Sequence, residues 1–216
     1  MLIKHIVFDF DGTLVDSTEV IVKVYNELAD QYQFKKLRKE EYRAIMSLPL
    51  KERMKALHVP ASKILLLRKI FREFQMKYRF YLKSVRILEG VFDVAYQLKE
   101  KGYKLSIITS NSASNIREYF NHREIDLFPH IQSSQGLFGK HRAIKNYMRQ
   151  YQLTNKDLIY IGDEVRDIQA SKKNRIDVIA VAWGLDPREA LLSEEPSYYV
   201  EHPTQILEIV CGSRMA

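Results

Sequence analysis

A single cysteine, Cys211, is all the thiol chemistry this 216-residue chain carries. No internal disulfide can form, and a reducing, cytoplasmic setting is expected. The six histidines are scattered, with no pair at the helical spacing of metal ligands, which argues against zinc chemistry. No apolar run approaches the roughly 20 residues that span a bilayer. The opening "MLIKHIVFDF" turns acidic too soon for a signal peptide. Internal repeats and low-complexity tracts are missing. So are helix-turn-helix, zinc-finger and RNP patterns, so no nucleic-acid partner is expected. Neither a membrane nor an obligate protein partner is indicated.

What is present is ordinary for a globular chain: 46% hydrophobic and 28% charged residues. The formal charge of +7 is unevenly spread. Residues 15–85 hold 16 Lys and Arg against 8 Asp and Glu, whereas the remainder holds 18 against 19. That segment presents either solvated helix faces or a basic surface that draws in an anionic substrate.

The apolar, β-branched "LIKHIVFDF" predicts a buried strand. From Thr18 to about Leu82 the period becomes helical. Val20, Val24 and Leu28 recur at four, and Ile64, Leu67, Phe71, Phe74 and Tyr78 form one stripe expected to be core. Pro49 and Pro60 break this stretch into shorter helices. After "LEG", helix and strand alternate: helix "VFDVAYQLKEKG", strand "YKLSIIT", helix "SASNIREYFNH", strand "HIQSS". Helix "KHRAIKNYMRQYQL", strand "DLIYIG", helix "EVRDIQASKKN" and strand "DVIAVAWG" follow. This rhythm predicts an α/β fold, a Rossmann-like parallel sheet with helices on both faces. Residues 1–14 and 86–216 would form the core domain, and 15–85 an inserted, all-helical cap domain.

Ligands of open parallel sheets gather at the carboxyl ends of the strands. Capable side chains fall there repeatedly: Asp9 and Asp11 after the first strand, Thr109 and Ser110 after "LSII", Asp163 and Asp167 after "LIYIG". Aspartate beside glycine is also ordinary turn or cap chemistry. The combination is harder to explain that way. Four aspartates in one crevice would repel unless a cation lay among them, and hard oxygen donors favour Mg²⁺. Lys140, opening a helix, could neutralise a carboxylate or a phosphate. Asp9 and Asp11, two apart on a strand, leave on the same face, and Gly12 lets the chain turn away.

"DFDGTLVDS", "SIITSN", "GK" at Gly139–Lys140 and "IGDEVRDIQASKK" resemble, in order, the four motifs of the haloacid dehalogenase superfamily. The inserted helices are similar to that family's first cap type, as in its phosphoglycolate phosphatase-like and β-phosphoglucomutase-like branch. The resemblance implies that Asp9 is the nucleophile that becomes an aspartyl phosphate. Asp11 would protonate the leaving oxygen and then deprotonate water. Asp9, the Asp11 backbone carbonyl and Asp163 would bind Mg²⁺. Thr109 (or, with a one-residue slip, Ser110) and Lys140 would hold phosphate oxygens. Asp167 would orient Lys140 or a metal-bound water. Dehalogenases of the family lack the second aspartate, so Asp11 favours phosphate chemistry.

The implied function is a Mg²⁺-dependent phosphatase acting on a small phosphorylated metabolite. A sugar-phosphate mutase and a non-catalytic phosphate-binding regulator are the alternatives. Lys51 and Arg53 of the inserted segment would read the substrate or be solvated. Trp183 would sit at the pocket rim or pack inside.

Overall fold

"HIVF" is buried at all four positions and forms strand β1, His5–Phe8. Five further strands lie parallel to it in one sheet: β2 Lys104–Thr109, β3 His130–Ser133, β4 Leu158–Gly162, β5 Asp177–Val181 and β6 Tyr198–Val200. The computed structural model describes residues 3–48, 50–60, 66–134 and 139–212. By contacts the chain divides into two units, Met1–Asp16 with Ile87–Ala216, and Ser17–Arg86.

In the first unit the strands stand in the order β3-β2-β1-β4-β5-β6. The chain lays strands outward on one side of β1, then returns to build on the other. Connections after β1 and β4 therefore run apart, opening a crevice at their carboxyl ends. Both neighbours hold β1 in register, with Phe8 opposite Ile107 on one side and Ile161 on the other. The expected Rossmann-like parallel sheet is what the chain forms. The short edge strand β6 and helices Arg188–Ser193 and Thr204–Gly212 carry no pattern long enough to read in advance.

Alternation along β1 feeds two cores. Val7 packs with Ala143, Ile144, Tyr147 and Ile168, from helices Lys140–Gln150 and Val165–Asn174. Phe8 meets Phe128 edge-on, which joins Phe92 and Phe120 in an aromatic layer. Truncating such a ring to alanine typically costs about 3–5 kcal/mol.

The Ser17–Arg86 unit holds helices Thr18–Tyr32, Tyr42–Met46, Leu50–Ala56 and Leu67–Tyr81. Val20, Val24 and Leu28 are buried as expected. Of the second stripe only Tyr78 is fully buried; Leu67, Phe71 and Phe74 are half-exposed, since so small a unit cannot enclose every apolar side chain. Ile64 and Pro49 lie outside the described residues. Polar contacts reinforce the pairing of the two long helices: Tyr32 donates to Glu73 at 2.8 Å, and Lys77 to Glu27 at 2.9 Å.

At the amino end of β1, buried His5 shares a 2.8 Å hydrogen bond through Nδ1 with the Tyr147 hydroxyl, which also meets Ser106 Oγ at 2.7 Å. Burial, with Lys104 nearby, holds the His5 pKa below its ordinary value. The unfolded chain thus binds a proton that the folded one refuses. The contribution is complete above about pH 6.5 and is lost as pH falls through the folded value. In urea unfolding, His5→Gln should reduce the loss of stability between pH 7 and pH 5; an unchanged slope would contradict this role.

Candidate active site

The carboxyl ends of β1 and β4 deliver the first two acids. Asp9 follows β1 and is tied across the sheet, its N–H donating to the Ile161 carbonyl at 2.8 Å. Its side chain is held at both oxygens. The Phe10 N–H donates to Oδ1 at 2.7 Å and Lys140 Nζ to Oδ2 at 2.7 Å. Lys140 opens its helix just after β3, as the sequence predicts. Its ammonium also bonds Asp167, from the first turn of helix Val165–Asn174.

Asp163 is fully buried after β4. Thr13 donates its hydroxyl proton to Oδ1 at 2.6 Å, and the Leu185 N–H donates to Oδ2 at 2.8 Å. Two glycines make that position possible. A β-carbon at Gly12 or at Gly184 would overlap the Asp163 side chain, and Gly12 adopts a φ of 81°. The backbone therefore approaches the carboxylate as no other residue would allow.

One carboxylate oxygen from each of Asp9, Asp163 and Asp167 lies within 4.8 Å of the others. At that separation two unit charges repel by roughly 3.5 kcal/mol at an effective dielectric near 20. With all three acids ionised, Lys140 offsets one charge and two remain in surplus. Burial drives the Asp163 pKa well above the carboxylate range, helped by the charges of Glu164, Asp9 and Asp167. Burial also lifts Asp167 to about 7, against the pull of Lys140. Burial works against the charge on Lys140, but Asp167 and Asp9 outweigh it and raise its pKa. A divalent cation fits this donor set: the convergent atoms are hard oxygens, and the surplus matches its charge.

The remaining sequence-predicted residues have the following surroundings. Asp11 is half-buried, and its Oδ2 accepts from Asn111 Nδ2 at 2.9 Å. Its carboxylate stands outside the converging group. Thr109, buried at the end of β2, accepts the Asn111 N–H at 3.1 Å. Ser110 is half-exposed and accepts from Arg166 Nη2 at 3.2 Å. Arg53 turns its guanidinium onto the carbonyls of Met46 and Leu48 inside its own unit, and Lys51 is exposed. Trp183 is half-buried, its indole N–H donating to the Thr13 carbonyl at 3.2 Å.

A family model described as haloacid dehalogenase-like hydrolase matches residues 6–181. The chain belongs to that family. Its similarity to individual members runs nearly end to end. A phosphoglycolate phosphatase of Synechococcus elongatus is 27% identical over 209 residues, spanning 96% of this chain and 97% of the relative. A pyrophosphatase PpaX of Listeria monocytogenes is 26% identical over 215 residues, spanning 96% of both. A solved haloacid dehalogenase-like hydrolase from Streptococcus pneumoniae superposes with a TM-score of 0.81 at 23% identity, over 96% of this chain and 98% of its own. The expected family and the fold hold.

This haloacid dehalogenase-like hydrolase also uses residues that motif reading did not single out. Asn111 joins Asp11 to the end of β2, Thr13 and Gly184 seat Asp163, and Arg166 bridges Glu164 and Ser110. Asp186 accepts the Val165 N–H at 2.7 Å, fixing the loop that carries Asp163. Thr13, Asn111 and Arg166 lie inside the quoted motifs, but nothing there marks their partners, whereas Gly184 and Asp186 lie outside them. The last two depend on loops that meet in space alone.

Lys140 is the one cation bonded to both Asp9 and Asp167 among the described residues. Removing one partner of a buried ion pair destabilises by about 3–5 kcal/mol. Lys140→Met should lose that much in urea unfolding without divalent cations, and recover part of it when Mg²⁺ is added. A variant as stable as wild type would show that the triad does not depend on the lysine.

Proposed function

We propose that this chain is a Mg²⁺-dependent phosphatase that hydrolyses a small phosphorylated metabolite through an aspartyl phosphate on Asp9. The observation that carries this reading is the buried acidic triad beside Lys140, which when fully ionised has two negative charges more than the lysine offsets. The two relatives are a phosphoglycolate phosphatase and a pyrophosphatase by name. Asp9, Asp163 and the Asp11 backbone carbonyl would hold the ion, with Asp167 close by. Bound there, Mg²⁺ would neutralise phosphate oxygens and so permit a carboxylate to approach phosphorus.

The protein's own groups account for the bond changes. An Asp9 oxygen forms a bond to phosphorus while the bond from phosphorus to the leaving oxygen breaks. Asp11 gives that oxygen its proton. Water then attacks phosphorus and yields a proton to Asp11, and the bond between phosphorus and Asp9 breaks to release inorganic phosphate. Both Asp9 oxygens are already held, so little orientational freedom remains to be lost at the moment of attack. Thr109 and Ser110 each accept an N–H at the hydroxyl oxygen, which leaves both hydroxyl protons to donate to phosphate. Lys140 supplies fixed positive charge beside the nucleophile.

The substrate reading follows charge. Phosphoglycolate and pyrophosphate, named in the two relatives, share a second anionic group beyond the scissile phosphate. Residues 15–85, with twice as many basic as acidic residues, suit a substrate of that kind. This segment would act as the cap. Lys51, whose side chain is exposed, is the better placed of the two cap candidates, because Arg53 is already engaged by carbonyls. A cytoplasmic setting agrees with the lone Cys211.

Phosphate release from a panel of small phosphate esters and pyrophosphate should require Mg²⁺ and stop with a chelator. Asp9→Asn should remove turnover, and Asp11→Asn should lower kcat by about 10²–10⁴-fold. Turnover of Asp9→Asn close to that of wild type would overturn the nucleophile assignment. Equal rates with and without Mg²⁺ would overturn the metal assignment.

A further inference from the structure

Between the carboxyl-terminal halves of helices Lys140–Gln150 and Val165–Asn174 lies a hollow of about 370 Å³. Small-molecule sites begin at that size. Its charge has one sign. Lys145 and Arg149 border it from the first helix, Lys173 from the last turn of the second, and Arg175 from the left-handed residue that ends it. Among the described residues no aspartate or glutamate lines it. None of the four cations has an ion-pair partner among the described residues. Other basic residues do pair: Lys4 with Asp157 at 2.8 Å, and Lys172, beside Lys173 in the chain, with Glu195 at 3.7 Å.

Helix dipoles explain part of this charge, since cations in a last turn face the carbonyl end. Arg149 and Lys173 answer to that description. Lys145 sits in mid-helix and Arg175 beyond the helix end, so the gathering of four exceeds it. The hollow also has an apolar floor. Met148 and Leu153 are partly buried and pack against the core beneath it. One wall is rigid, because Asn174 Nδ2 donates to the carbonyls of His141 at 2.9 Å and Ala170 at 2.8 Å. The two helices begin at the triad, with Lys140 and Asp167, and end at the hollow. An 11-residue helix is about 16 Å long, so the two places are separate.

We propose that this hollow is a second site, which binds a small organic polyanion of the nucleoside di- or triphosphate class. The anionic groups lie against the four cations, and the ring rests on Met148 and Leu153. Arginine and lysine together suit such a ligand, the planar guanidinium gripping phosphate oxygens in pairs and the ammonium adding point charge. The site owes nothing to the phosphatase reading.

The test uses the whole chain and a pyrene tetrasulfonate, a fluorescent polyanion with an apolar body and no phosphate to hydrolyse. Anisotropy should show saturable one-to-one binding, displaced by ATP with EDTA present to hold back turnover. Lys145→Ala/Arg149→Ala and Lys173→Ala/Arg175→Ala should each weaken it by about tenfold or more. Lys55→Ala/Arg68→Ala removes the same charge from exposed positions elsewhere and should leave affinity unchanged, as should Asp9→Asn. Wild-type affinity in the hollow variants would overturn the proposal, and so would equal weakening in the control pair, loss of binding in Asp9→Asn, or failure of ATP to compete.

Discussion

Three buried carboxylates converge with one lysine bonded to two of them, and the local structure is arranged around that imbalance. Ionised acids remain in an interior only when something holds the charge. Here part of the holding comes from Lys140, part from N–H and hydroxyl donors at Asp9 and Asp163, and the rest is left to a cation. Burial, helped by the neighbouring acids, lifts the Asp163 pKa, and a cation held there would relieve the same residual charge.

Sheet topology turns this local imbalance into a crevice. The reversal of strand order between β1 and β4 sets Asp9 and Asp163 on neighbouring strand ends while their loops diverge. β2 contributes Thr109 and Ser110 from the other side of β1. Asp9 and the pair Asp163 and Asp167 thus come from segments far apart in sequence, and parallel pairing of β1 with β4 places them together.

Much of this was legible in the sequence because the informative features are short and sharply patterned. A continuous apolar strand ending in "DFDG" and another ending in "GDEVRD" announce both buried strands and the acids that follow them. What was not legible depends on contact at a distance. Nothing around Asn111 reveals that its amide meets Asp11, a hundred residues earlier, nor does Thr13 announce its bond to Asp163. Strand β6 is three residues long, too short for alternation to register. The half-exposed faces of Leu67, Phe71 and Phe74 were equally hidden, since periodicity reports which residues share a face and not how thoroughly it is covered.

Half of the eight glycines in the chain, at positions 12, 139, 162 and 184, press against the acids or the turn that delivers Lys140. This constrains engineering for heat resistance. Exchanging glycine for alanine ordinarily stiffens the unfolded chain and gains about 0.4–1 kcal/mol. At those four positions the added methyl would collide with a carboxylate or a carbonyl, so the usual gain is closed off. Gly212, within a helix and with nothing inside 4 Å of where its methyl would stand, leaves that route open.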